Sequence, residues 1–251
     1  MKMKTKNKKG ELTTAQLVTI TILIVSFIII LSLIFRLNLG GTTNQEICHN
    51  SVVLRDESKI LAGPLDCRTN YLCISGGSDC QGISATEKAK VDISENKDEI
   101  MKAIADEMAS CWYMFGEDRE LNYAGGPGLS GGVDCAICSI VEFDEKIQNE
   151  LIKIDYSEFY NYLEKTPKDN SQSYLKYLYG VSDVDDLEIQ EQFKIVDINH
   201  DFISTREKYS IITGIDTTKS VSGLIREWLK VYIIPTIETP ATSCTEFITK
   251  A

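Results

Sequence analysis

The stretch that decides the fold is Cys135-Ala136-Ile137-Cys138-Ser139-Ile140-Val141-Glu142-Phe143, where a C-x-x-C pair runs straight into β-branched residues. At the junction of a strand and a helix, such a pair is a thiol–disulfide centre; with two more ligands at matching spacing it is half of a zinc site. Neither context surrounds it. A glycine-rich loop precedes it (Gly125, Gly126, Gly128, Gly131 and Gly132), and Ser139 to Phe143 reads as a strand. Cys73 and Cys80 are spaced wrongly for a partner zinc knuckle. The stretch is therefore expected to be a strand, near Ala136–Phe143, carrying two structural cysteines. A thiol-redox or metal-dependent enzyme using Cys135 and Cys138 is the alternative.

The other cysteines extend that expectation. Cys48, Cys67, Cys73, Cys80, Cys111, Cys135, Cys138 and Cys244 are an even set, and none precedes residue 48. Even cysteines in an exported region predict disulfides formed in an oxidising compartment. Eight cysteines permit 105 pairings, and spacing alone does not choose among them. Cys244 is expected to tie the C-terminal segment back onto the body.

Around this strand the chain mixes helices and strands without a regular βαβ rhythm, which predicts an α+β fold. The clearest helix spans Ser94 to Phe115, with Ser94 as N-cap, acidic residues in the first turns and Gly116 as the stop. Ile100, Met101, Ile104, Ala105, Met108, Cys111, Trp112 and Phe115 form one apolar face, so the partner of Cys111 should lie near the core. Shorter helices are expected at Ser157–Glu164, Ser171–Tyr179 and Ser222–Leu229. Further strands are expected at Phe193–Ile198, Tyr209–Ile215 and Val231–Ile237. Residues 46–90 look loop-rich and stapled, with Ser51–Leu54 a short strand, and Asp183 to Asp186 an acidic surface turn. Six of the eleven tyrosines fall between Tyr156 and Tyr179, and they are expected to pack with Leu side chains onto a sheet.

At the other end, Leu17 to Phe35 is an uncharged apolar run. With its flanks it is long enough for a hydrocarbon core of about 30 Å. Residues 1–36 carry net +5, which leaves −16 for residues 37–251 out of the total of −11. Five lysines before the run against Arg36 after it put the N-terminus in the cytoplasm and the remainder outside. The expected organisation is a basic leader (1–10), a transmembrane helix (11–39), a hinge (40–45) and an extracytoplasmic α+β domain (46–251). The bilayer is the partner of residues 12–39. A protein partner or self-association is expected at the cell surface. A cleaved secretory signal fits poorly, because the run is long and Asn38-Leu39-Gly40 is not a small-residue cleavage site.

Lys8-Lys9-Gly10-Glu11-Leu12-Thr13-Thr14, running directly into the apolar helix, resembles the processing site of archaeal type IV pilin-like precursors. The resemblance covers about 25 residues and implies cleavage between Gly10 and Glu11, after which the helix anchors the subunit or packs in a filament core. The chain departs from that pattern at the fifth mature position, where Ala15 replaces the usual glutamate. The exported part resembles that of membrane-anchored archaeal surface proteins.

Other motifs match letters without context. Gly128-Leu129-Ser130-Gly131-Gly132 has the spacing of a hydrolase nucleophile elbow, but no apolar strand leads into it, and His200 is the one histidine downstream. Asp197-Ile198-Asn199-His200-Asp201 opens like a calcium loop, but Phe202 and Lys208 stand where Gly and Glu belong. Acidic composition disfavours nucleic acid. No catalytic residue, metal or cofactor is assigned, and a structural or protein-interaction role is the reading that remains.

Overall fold

A computed structural model describes residues 14–36, 44–57, 65–92, 97–117, 132–150, 152–188, 201–216, 227–241 and 244–249. The chain divides into two compact units, Met1–Thr43 and Asn44–Ala251. In the first, helix α1 runs Thr14–Arg36. Its described side chains from Val18 to Ile28 are all exposed. Among the described residues, no helix is long and apolar enough to cross a membrane.

The second unit is a mixed α+β body built on a six-stranded sheet. Its strands are β1 (Asn70–Ser75), β2 (Glu87–Lys90), β3 (Val133–Phe143), β6 (Tyr209–Asp216), β7 (Glu227–Pro235) and β8 (Glu246–Phe247). The order is β2-β1-β3-β6-β7, with β8 beside β3. The β2/β1, β1/β3 and β3/β8 pairs are parallel, whereas β3/β6 and β6/β7 are antiparallel. One edge of β3 is thus divided: β1 pairs with Ser139–Phe143, while β8 pairs with Asp134 and Cys135. A separate two-stranded sheet joins β4 (Lys153–Asp155) to β5 (Phe202–Ser204).

The decisive stretch is a strand, as its β-branched content requires. Every residue of β6 beside it is buried, so this is a central strand with both faces covered. At Gly214 a Cβ would stand 2.5 Å from the Asp134 carbonyl oxygen, so the close approach of β3 and β6 admits only glycine there.

Helix α3 (Asp98–Met114) buries Ile100, Met101, Ile104, Ala105, Met108, Cys111 and Trp112, the apolar face that the spacing predicts. It packs on β3, β6 and β7. The helix begins at Asp98, later than expected, and Ser94 lies outside the described residues. Helices α5 (Tyr156–Lys165) and α6 (Tyr174–Tyr179) close the same core, and Gly180 ends α6 in the left-handed region at φ 78°. Tyr156, Tyr160, Tyr174 and Tyr179 are buried. Tyr160, Tyr179 and Tyr232 follow one another at centroid distances of 5.8 and 5.7 Å, so these rings pack inward, as expected.

Three expectations need correction. Ser51–Leu54 is not a strand but part of helix α2 (Asn44–Glu57), which buries Cys48 and Val52 at i, i+4 spacing and packs on α3. Tertiary packing outweighs the weak β preference of two valines there. Residues 46–90 accordingly hold a helix and two strands, and Asn44 and Gln45 begin α2 instead of belonging to a hinge. The third correction concerns Ser222–Leu229: from Glu227 the chain is strand β7, which pairs along β6. Phe193–Ile198 lies outside the described residues. Asp183 to Asp186 forms the expected acidic turn, a 3-10 turn capped by the Asp183 side chain.

Candidate functional site

Four disulfides join Cys48 to Cys67, Cys73 to Cys80, Cys111 to Cys138 and Cys135 to Cys244. All eight cysteines are used, and Cys135 and Cys138 do not pair with each other. The reason is geometric. A strand rises about 3.3 Å per residue, which puts positions i and i+3 about 10 Å apart, beyond disulfide reach. Each sulfur instead meets a cysteine brought by another element: Cys111 on α3, at a Cα separation of 5.5 Å, and Cys244, at 5.6 Å. The pairing register shifts between Ile137 and Ser139, so Cys138 is the extra residue of a bulge against β6. Cys111 and Cys138 are both fully buried, as the position of Cys111 on the apolar face implied.

Among the buried carboxylates beside this framework, Asp144 and Glu107 have opposite surroundings. Asp144 is fully buried at the end of β3. Its Oδ1 accepts from Ile147 N at 2.9 Å and so caps α4 (Glu145–Asn149). Its Oδ2 accepts from Ser75 Oγ at 3.0 Å and from both Ser78 N and Ser78 Oγ at 2.7 Å. Burial disfavours the charge, but these hydrogen bonds outweigh it and hold the carboxyl far below the usual aspartate range. The group locks the loop closed by Cys73–Cys80 onto the sheet.

Glu107 lies on the apolar face of α3 and is 5% exposed. Ser139 Oγ donates to its Oε1, and Asn70 Nδ2 donates to the same oxygen at 3.0 Å. Asn70 Nδ2 also donates to Glu87 Oε2 at 3.2 Å, bridging the two glutamates. Burial pushes the Glu107 carboxyl up; the Ser139 and Asn70 hydrogen bonds oppose this, and the Glu87 and Asp106 charges add to it.

Glu107 lines a cleft of about 310 Å³ between α3 and edge strand β2. The cleft forms because α3 packs chiefly on β3, β6 and β7, leaving a wedge over β1 and β2. Leu72, Ala89 and Ala103 supply apolar lining; Glu87, Asp106 and Glu107 supply carboxylates. A broader cavity of about 780 Å³, with Gly76, Lys146 and Glu150 in its wall, shares Lys90, Val91 and Glu99 with the cleft. Among the described residues no group of three His, Cys, Asp or Glu side chains is arranged to hold a metal ion.

No sequence motif marks the cleft, although one signal points to it. Glu107 stands three residues after Ile104 and four before Cys111, so an acidic residue interrupts a face that is otherwise core. The partners Asn70, Glu87 and Ser139 come from three strands, and only the sheet order brings them together.

The remaining sequence candidates fall elsewhere. Gly10, Glu11, Ser130 and His200 lie outside the described residues. The chain matches no model of a known family, no curated protein and no solved structure.

Proposed function

We propose that the chain is a single-pass envelope protein. Residues 12–39 hold it in the bilayer, the N-terminus lies in the cytoplasm, and an acidic, disulfide-stapled α+β domain is presented outside. Its role is structural or one of protein interaction. The observation that carries this reading is the position of the sulfur. All eight cysteines follow the apolar run and all are bridged. Bridges of this density persist in oxidising compartments. The charge asymmetry, +5 before residue 37 and −16 after, supports the orientation.

A pilin-like subunit processed after Gly10 is the second reading, favoured by Lys8-Lys9-Gly10-Glu11 directly before the apolar run. A thiol-redox or metal role for Cys135 and Cys138 finds no support, since both sulfurs are committed to separate bridges.

Intact-mass measurement of the protein recovered from native membranes tests the proposal. The full-length mass in the membrane fraction is expected. A mass lacking the first ten residues replaces the simple anchor with the pilin-like reading, and recovery in the aqueous fraction alone overturns both.

A further inference from the structure

Strand β2 ends the sheet, and among the described residues no strand pairs with its outer edge. Val91 N donates to Ser75 O at 2.9 Å. In a parallel pair this turns the backbone groups of residues 87, 89 and 91 toward β1 and those of Lys88 and Lys90 outward. Lysines on an edge commonly guard it against chance pairing, and that suffices for the strand alone. It does not explain the wedge behind the strand, where α3 stands off and a carboxylate is buried at the wall.

Both hydrogen bonds to Glu107 end on Oε1, and no described residue donates to Oε2. A carboxylate in the wall of a cleft is a ready partner for a guanidinium or ammonium group, which brings both donors and charge. The joined cavities carry six carboxylates against three lysines. Of those lysines, Lys102 is paired to Asp106 at 2.6 Å, and Lys146 donates to the Gly76 carbonyl oxygen. A second copy of a domain carrying −16 is repelled from such a surface. A groove between an edge strand and a helix is the geometry in which an extended peptide adds to a sheet.

We infer that the cleft between β2 and α3 receives an extended, arginine- or lysine-bearing segment of a partner protein, added to β2 as a further strand with its cationic side chain on Glu107. This deepens the protein-interaction reading but does not depend on the membrane anchor.

The test uses the full chain in detergent and a labelled, end-blocked Val-Arg-Val-Arg-Val peptide, with binding followed by fluorescence anisotropy at physiological ionic strength. Saturable binding at one peptide per chain is expected, together with slowed amide exchange at Lys88 and Lys90. Glu107→Gln is expected to weaken binding about tenfold, the scale of a charged hydrogen bond. Lys90→Pro removes an outward N–H and also a positive charge. Charge attraction alone therefore predicts tighter binding by this variant, and strand addition predicts its loss. Unchanged circular dichroism and a cooperative thermal transition identify variants that fold, and Glu87→Gln, on the exposed strand, supplies a second weakened variant.

Tighter binding by Lys90→Pro overturns the inference. So does equal binding of a peptide methylated on alternate backbone nitrogens, which keeps its charge but cannot pair. Binding by a chain found outside the membrane sinks the anchor and leaves the cleft standing; a membrane-bound chain that ignores the peptide does the reverse.

Discussion

Asp144 and Glu107 are both buried acids, and their neighbours set them apart. Asp144 has four donors and a depressed native value. Its contribution is fully present above the ordinary aspartate value near 4 and is lost as the pH falls toward the native one. Asp144→Ala leaves the Ser78 and Ile147 donors without their acceptor. It is expected to cost on the order of 3 kcal/mol in urea unfolding at neutral pH, with the deficit shrinking in strong acid. Glu107 works in the other direction. Its raised native value favours the folded state below the ordinary glutamate value near 4.3, and that advantage disappears as the pH rises through the native value. Glu107→Gln keeps an acceptor for Ser139 and Asn70 without the charge. Its unfolding free energy should vary less between pH 4 and 7 than that of the parent, and should exceed the parent's at neutral pH. An unchanged pH slope counts against the assignment.

At the scale of elements, the readable parts were those with an unambiguous period or β-branched content. Helix α3 announced itself through its apolar face, and strands β3 and β6 through their runs of valine and isoleucine. Helix α2 is not legible in its own residues, because what makes Ser51–Leu54 helical is the packing of Cys48 and Val52 on α3, a contact between distant parts of the chain. The disulfide pairing was illegible for the same reason: it depends on which element each cysteine meets. Once known, the pairing predicts a ranking. Sequence separations are 109 for Cys135–Cys244, 27 for Cys111–Cys138, 19 for Cys48–Cys67 and 7 for Cys73–Cys80. By loop-closure entropy, replacing both cysteines by serine should cost about 5 kcal/mol for the longest loop and about 2 kcal/mol for the shortest. Denaturant midpoints of the four double variants check this order.

For the whole molecule, the division between Thr43 and Asn44 implies that residues 44–251 carry what the domain needs to fold. Produced alone in an oxidising compartment, this fragment is expected to unfold in one cooperative transition and to resist protease until reduced. Loss of the cooperative transition in the fragment argues that the first unit contributes to the core. The shared edge of β3 adds a constraint in time. Synthesis delivers Cys135 long before Cys244, and Thr245 N, which bonds to the Val133 carbonyl oxygen at 2.7 Å, arrives later still. Until then the first half of β3 has no neighbour on that side, and Cys135 is a thiol without a mate while six other cysteines are already present. The Cys135–Cys244 bridge should therefore be the last to close in pulse-labelled, alkylation-trapped chains. A chain stopped at residue 243 should accumulate as a dimer cross-linked through Cys135.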